Sequence, residues 1–320
     1  MSAALALGIP AYNAAAHLPR LLSSVRRQTV PFDEILVYDD ASTDRTAEVA
    51  ADHGATVIRG VENLGCSVGR NRLAERARAE WIHFQDADDE LLPNFVERAH
   101  GWMSRTCPPD VVLFGFEWRD DGTGRLLAVH AYDGARARQD AIAYTIVEQI
   151  NPWGLYRRQA FLSGGGADED PCVLYNEDDA MHGRLARKGL TFDADPAVAM
   201  IIYRREDSMS ARRPVECARA KYHVLRKAAE SLSGQYAAPI AQRLWSTAAV
   251  SGSVLDWPNV DACVSLARAL GSRSPGTGSG IFRWACAIAP YQAMRIRERW
   301  IRRFRPRLRE GSSRAATQSA

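Results

Sequence analysis

Apolar residues recur along the first two hundred positions in two alternating rhythms. Short apolar runs at 4–9, 34–38, 56–58, 81–84 and 111–116 predict strands. Between them, 18–27, 43–52, 68–78 and 93–104 carry apolar residues at helical spacing. Such alternation predicts an α/β protein with a mixed, mainly parallel sheet between helices. A further helix opens at Asn176-Glu177-Asp178-Asp179, runs to about Lys188 and stops at Gly189. Runs at 190–192 and 198–203 predict closing strands. Beyond Pro214 the pattern is helical to about Trp257, and a Gly/Ser/Pro-rich stretch follows at 271–280. The expected organisation is a sheet domain over 1–212, a helical C-terminal extension over 213–270, a linker over 271–280 and a tail over 281–320.

Ligands of open α/β sheets bind at the carboxyl ends of the strands, and three polar clusters fall there. They are Pro10-Ala11-Tyr12-Asn13, Asp39-Asp40-Ala41-Ser42-Thr43-Asp44 and Gln85-Asp86-Ala87-Asp88-Asp89. Asp86 and Asp88, one residue apart at the exit of an extended run, are expected to point the same way. Like charges so close raise each other's pKa unless a cation lies between them. A hard divalent ion shared with a diphosphate, Mg²⁺ or Mn²⁺, fits that need, although a solvated acidic turn also accounts for two isolated carboxylates. Asp39 and Asp40 are placed to accept from a base N–H or a ribose hydroxyl; the alternative is that Asp40, Ser42 or Thr43 caps the next helix. Glu177-Asp178-Asp179 suits a helix dipole, and one of these carboxylates, brought to the same pocket, would take a proton from an attacking hydroxyl. Arg70 could reach a phosphate or sit on the surface like Arg72 and Arg76. His83 is expected to pack within its strand.

The 320 residues, 46% hydrophobic and 25% charged, can bury a large core and do not read as disordered. Six scattered cysteines form no CxxC pair or Cys/His cluster, which argues for free thiols and against zinc. The opening Met1-Ser-Ala-Ala-Leu lacks a basic segment and resembles a first strand more than a signal peptide. No stretch approaches the roughly eighteen apolar residues that a membrane span needs. The net charge of +3 conceals an asymmetry: ten Arg against two Glu from Ile281 onward give the tail +8, and the preceding residues carry −5.

In their order and spacing these residues resemble the inverting glycosyltransferases of family 2, which have the GT-A fold. The resemblance is carried by Ile9-Pro-Ala-Tyr-Asn13, Arg27-Gln28-Thr29, the run from Ile35 to Asp44, Asn63-Leu64-Gly65, Arg70-Asn71, and Phe84-Gln-Asp-Ala-Asp-Asp89 with Pro93. It continues through Glu177-Asp178, Arg184, Gly189 and Tyr203-Arg204, covering roughly residues 4–210. It implies that Asp40 binds the base, with Pro10, Ala11 and Tyr12 flooring the nucleotide pocket. Asp86 and Asp88 become the DxD pair, Asp88 contacting the metal most directly. Asp178 becomes the catalytic base, with Asp179 a second candidate, Glu177 beside it reading a sugar, and Arg70 the donor-site arginine. The implied reaction moves a sugar from a nucleoside diphosphate, UDP being the expected carrier, to an acceptor hydroxyl with Mn²⁺ or Mg²⁺. Tyr38 departs from the pattern, standing where a small β-branched residue is usual, and so does Ala79, where a glycine is common. Asn151-Pro-Trp-Gly-Leu-Tyr-Arg-Arg158 resembles a segment of members that build surface polysaccharides, so a glycan or lipid-linked acceptor is expected.

Two rivals are weaker. A nucleotidyltransferase would carry a Gly-rich, Lys-containing loop after the first strand, and Pro10-Ala-Tyr-Asn-Ala is not one. A non-catalytic nucleotide-sugar-binding protein would have no need of Glu177-Asp178. An oxidoreductase would show GxGxxG there. In the tail, Ile296, Trp300 and Phe304 recur at helical spacing among arginines. That pattern suits an interfacial helix on anionic lipid, or a terminal helix packed on its own body. Nucleic acid is disfavoured because no recognition fold accompanies the charge. The protein is accordingly expected in the cytoplasm, peripheral to the inner face of the cell membrane.

Overall fold

The computed structural model describes residues 3–205, 208, 212–232 and 234–310. They form two compact units: Met1–Ile142, Ile150–Glu169 and Met181–Arg205 make the first, and Ala143–Gln149, Asp170–Ala180 and Glu206–Ala320 contain the second.

The first unit alternates as its hydrophobic rhythm predicts: β1 (Leu5–Ala11), α1 (Leu18–Arg26), β2 (Glu34–Asp39), α2 (Thr46–Asp52), β3 (Thr56–Arg59), α3 (Cys66–Arg76) and β4 (Trp81–Phe84). Then come β5 (Glu90–Leu91), α4 (Phe95–Met103), β6 (Val111–Asp120), β7 (Leu126–His130), α5 (Gly134–Gln139), α6 (Ala141–Val147, which runs into the second unit), β8 (Gly154–Arg157) and α7 (Arg158–Ser163). The helix α8 (Glu177–Arg187) enters from the second unit, and β9 (Phe192–Arg204) closes the sheet.

The sheet order is β3-β2-β1-β4-β8-β6-β9-β5, with β7 on β6. Strands β1 to β4 pair in parallel, β8 runs antiparallel between β4 and β6, and β6 and β9 form a long parallel ladder. β1 is buried along nearly its whole length, as a parallel strand covered by helices on both faces must be. α1 shows how such a cover forms: Leu18, Leu21, Leu22 and Val25 share its buried face, and Pro19 sits in its first turn.

β9 is one strand where the sequence pattern suggests two. Its pairing with β6 passes from Phe114–Asp195 to Gly115–Val198, so Pro196 and Ala197 form a bulge. A proline has no N–H for the ladder, which is why the pattern breaks without ending the strand.

Tyr38 is accommodated by a glycine. A Cβ on Gly69 would lie 3.1 Å from the Tyr38 ring and 3.2 Å from Pro10 Cβ, so α3 approaches β1 and β2 closely only because residue 69 lacks a side chain.

In the second unit, the helices Pro214–Ser231, Ala237–Ser253 and Trp257–Ala269 pack through Leu225, Leu244, Trp245, Val260 and Val264. The buried Asn259 amide donates to the Ala218 carbonyl (3.1 Å) and to Ser251 Oγ (2.9 Å). Residues 271–280 are tied to these helices: the Trp245 indole donates to Ser272 Oγ (3.1 Å) and the Gly276 N–H to Gln242 Oε1 (2.5 Å). The helices Gly280–Ile288, Pro290–Phe304 and Arg307–Glu310 follow. No helix among the described residues is long and apolar enough to cross a membrane.

Gly69→Ala would add a methyl against a buried ring. Overpacking of about 1–3 kcal/mol outweighs the gain of roughly 1 kcal/mol in helix propensity, so the melting temperature should fall. In a Tyr38→Val background the same change should become neutral or stabilising. Thermal denaturation of the four proteins checks this, and an unchanged sign in both backgrounds refutes it.

Candidate active site

The site is built at the carboxyl ends of β1, β2 and β4. The turns after β1 and β2 are laced together. Asn13, in the left-handed region at φ 49°, donates its N–H to Ser42 Oγ (2.9 Å) and accepts from the Thr43 N–H (2.9 Å). The Ala14 N–H donates to Thr46 Oγ1 (2.8 Å) and the Asp40 N–H to the Ala11 carbonyl (2.8 Å). Ala11 is buried, while Tyr12 stands out into solvent, 51% exposed.

Asp39 and Asp40 are both buried, and they differ in what they hold. Asp40 accepts from the backbone N–H groups of Leu64 (2.9 Å) and Gly65 (2.7 Å), just ahead of α3. It holds the turn ahead of that helix from a neighbouring loop, where a carboxylate also suits the dipole. Asp39 Oδ1 accepts from the Ser42 N–H (3.1 Å), and no hydrogen bond to its Oδ2 occurs among the described residues.

α3 carries Arg70, almost wholly buried, to the end of β4, where its Nη2 donates to Asp86 Oδ1 (3.1 Å). The other Asp86 oxygen accepts from the Trp153 indole N–H (2.9 Å). Trp153 is locked by edge-on contacts with Phe116 and Trp118. Sequence reasoning passed over this tryptophan; the Asn151-Pro-Trp-Gly segment was its signal. On the same helix, the Asn71 amide holds the Ala167 backbone at both its C=O (3.1 Å) and its N–H (2.8 Å). Gly166, at φ 59°, permits this, since a Cβ there would lie 2.3 Å from Asn71 Oδ1. Arg184 fixes the same glycine-rich loop through Asp168 (2.6 Å) and the Gly165 carbonyl (2.8 Å).

Asp88 pairs with Arg205, Nη2 to Oδ2 at 2.9 Å, and its backbone carbonyl accepts from Arg20. Burial, and then the charge of Asp86, push the Asp88 carboxyl above the usual range, against the pull of Arg205. Asp89 lies deeper, accepting from the Tyr203 N–H (3.2 Å) and the Gln85 amide (3.2 Å). Burial first, then Asp88 and Asp86, raise its pKa well above normal. Gln85 in turn meets His83 Nε2 (3.1 Å), whose Nδ1 lies 2.9 Å from the Gly154 carbonyl. Burial depresses the His83 pKa to about 4, so the ring, tilted against Phe95 at 4.2 Å, is neutral and structural.

No group of three or more His, Cys, Asp or Glu side chains among the described residues could hold an ion unaided. A hard cation bridging to a diphosphate asks less of the protein, one or two carboxylates. Asp88 and Asp86 are two carboxylates side by side, and Arg205 is the cation paired with Asp88.

The first unit thus brings Pro10, Ala11, Tyr12, Asp40, Arg70, Asp86 and Asp88 to one edge of the sheet. Glu177, Asp178 and Asp179 stand in the first turn of α8, within the second unit. There the buried Asp179 carboxylate is ion-paired with Lys221 Nζ, and burial lowers the Lys221 pKa despite that partner. Asp178 is half-buried.

This edge, acidic loops on a half-parallel sheet, is that of a GT-A nucleotide-diphospho-sugar transferase. S. aureus TarS 1–349, crystallised with UDP-GlcNAc, matches with a TM-score of 0.69 at 17% identity over 94% of this chain and 92% of that one. The Pyrobaculum calidifontis mannosyltransferase PcManGT, crystallised with GDP-Man and Mn²⁺, matches with a TM-score of 0.58 at 14% identity over 94% and 85%. The family model described as Glycosyl transferase family 2 matches residues 7–164. Bacillus subtilis TuaG, named as a teichuronic acid biosynthesis glycosyltransferase, is 30% identical over 188 residues, 57% of this chain and 71% of its own length. B. subtilis EpsH, named as a glycosyltransferase, is 30% identical over 130 residues, and that match spans 37% of its length. The chain belongs to glycosyltransferase family 2.

His83 supplies a pH signature. Its folded pKa of about 4 lies below the unfolded 6.5, so the unfolded chain binds the extra proton. Its contribution is complete above pH 6.5 and is lost as the pH falls towards 4, a change of about 3 kcal/mol. Urea denaturation of wild type and His83→Asn across that window should show a shallower pH slope in the variant; parallel slopes would sink the assignment.

Proposed function

We propose that the protein transfers a sugar, with inversion, from a UDP-sugar to an acceptor hydroxyl of a glycan or lipid-linked glycan in cell-surface polysaccharide synthesis, at the cytoplasmic face of the membrane. The observation that carries this is the fixed pair Asp86 and Asp88 at the end of β4, with both Asp86 oxygens held by Arg70 and Trp153. The family membership, the UDP-GlcNAc bound by TarS and the teichuronic acid role in the name of TuaG support the donor and acceptor classes.

Pro10, Ala11 and Tyr12 floor the nucleotide pocket beside Asp40. The resemblance gives the base-binding role to Asp40, whose two oxygens already accept from Leu64 and Gly65; Asp39, with no hydrogen bond to its Oδ2 among the described residues, is the second acceptor proposed for a base or ribose. Mn²⁺ or Mg²⁺ would be held by Asp88 and Asp86 and would neutralise charge on the departing diphosphate. Arg205 would release Asp88 when that ion enters. Asp178 takes the proton from the attacking hydroxyl, and Glu177 reads a sugar hydroxyl. The choice of Asp178 over Asp179 is supported by Lys221, whose ammonium occupies Asp179.

Asp178→Asn should lower transfer by about 10²–10⁴-fold while the UDP-sugar dissociation constant stays nearly unchanged. Asp179→Asn should instead cost about 3–5 kcal/mol of stability by stranding the Lys221 charge. Loss of donor binding in Asp178→Asn removes that residue from the role. The reaction itself is tested by a thermal-shift screen of nucleotide sugars with Mn²⁺ or with EDTA, followed by product analysis. UDP release that depends on the ion is expected, and pyrophosphate release would overturn the reading.

Trp153→Phe keeps the aromatic packing and deletes one charge-assisted hydrogen bond. Calorimetry should show UDP-sugar affinity weakened about 10-fold, on the order of 1.5 kcal/mol, at an unchanged melting temperature. Unchanged affinity would show that Trp153 does not position Asp86.

A further inference from the structure

We infer that the helices Gly280–Ile288 and Pro290–Phe304 form a ready-folded docking surface for an anionic lipid bilayer; this rests on the proposal that the enzyme works at a membrane on a lipid-linked acceptor. Each helix has its inward face accounted for. Cys286 is buried on the first, and Met294, Glu298 and Ile301 are buried on the second. Glu298 is paired with Arg302 (2.9 Å) and Arg309 (2.6 Å), Arg302 donates to the Ser253 carbonyl (2.7 Å), and Arg295 meets Asp261 (3.3 Å). The helices are therefore held to their own unit without their outward faces.

Those outward faces are apolar. Ile281, Trp284 and Ile288 recur at i, i+3 and i+7 on the first helix, and Ile296, Trp300 and Phe304 at i, i+4 and i+8 on the second. All six are between 48% and 81% exposed. Arg299 and Arg303 lie exposed alongside the second row, and the Arg305 guanidinium sits 5.4 Å over the Trp300 ring. The only acidic residue of the second helix, Glu298, is turned inward, so its outward face carries cations without anions. A second copy of this face would meet like charge with like charge. An anionic headgroup layer supplies the opposite charge, and the Trp and Ile side chains suit the boundary between headgroups and acyl chains.

The test is co-sedimentation of the full chain with phosphatidylcholine vesicles, with and without 30% phosphatidylglycerol. Wild type should partition at least tenfold better onto the anionic vesicles, and 0.5 M salt should abolish the difference. Arg299→Gln/Arg303→Gln should lose roughly 25-fold, at about fivefold per arginine. Trp284→Ser/Trp300→Ser should lose at least tenfold on the same vesicles. Equal binding to neutral and anionic vesicles, wild-type partitioning by either variant, or a dimer in sedimentation velocity that these substitutions dissolve would overturn the proposal. The thermal shift induced by UDP is measured in parallel and should be unchanged in both variants. If wild type binds vesicles and gives no UDP shift, the enzymatic reading fails while the docking surface stands.

Discussion

Three carboxyl groups crowd the exit of β4, and the arrangement around them follows from the cost of holding that charge together. Asp86 is neutralised by a buried arginine from α3 and oriented by an indole N–H delivered from the turn before β8. Asp88 is met by Arg205, at the end of the strand that closes the sheet. Asp89 is pushed by burial and its neighbours towards the neutral acid and is held by β9 and Gln85. Arg70, Trp153 and the end of β9 come from three distant stretches of chain, so these contacts form only when the sheet is assembled. In the proposed reaction, charge held this way would be preorganised to stabilise a leaving group.

The same economy governs the edge formed by β1 and β2. The turns after β1 and β2 satisfy each other's backbone groups, and Asp40 holds the turn ahead of α3. That helix then aims Arg70 at Asp86 with one residue and anchors the glycine-rich loop with the next, Asn71. Two adjacent side chains thus serve two different tasks from one turn of helix. In the second unit the pairing of Asp179 with Lys221 separates two carboxylates that are chemically alike. One is fixed by an ion pair and the other is half-buried at the helix start.

Much of this was legible in the chain. The rhythm of apolar runs located β1 to β4 and the helices between them to within a few residues, because those strands are buried by local, repetitive patterning. The polar clusters that end β1, β2 and β4 fall on one edge of the sheet, as the same patterning predicts. What escaped was non-local. β7 and β8 are short and depend on β6 and β4 for their ladders, and Pro196 disguised one long strand as two. Tyr38 looked like an anomaly until Gly69 was seen to give it room.

Residue order alone therefore determined the class of fold and the family, since these depend on periodicity and on motifs a few residues long. Tertiary structure decided what each carboxylate touches. Asp40 grips a backbone loop, Trp153 turns Asp86, Lys221 holds Asp179 and Arg205 covers Asp88. Those partners lie 24 to 117 positions away in the chain, and only packing can bring groups at such separations to hydrogen-bonding distance.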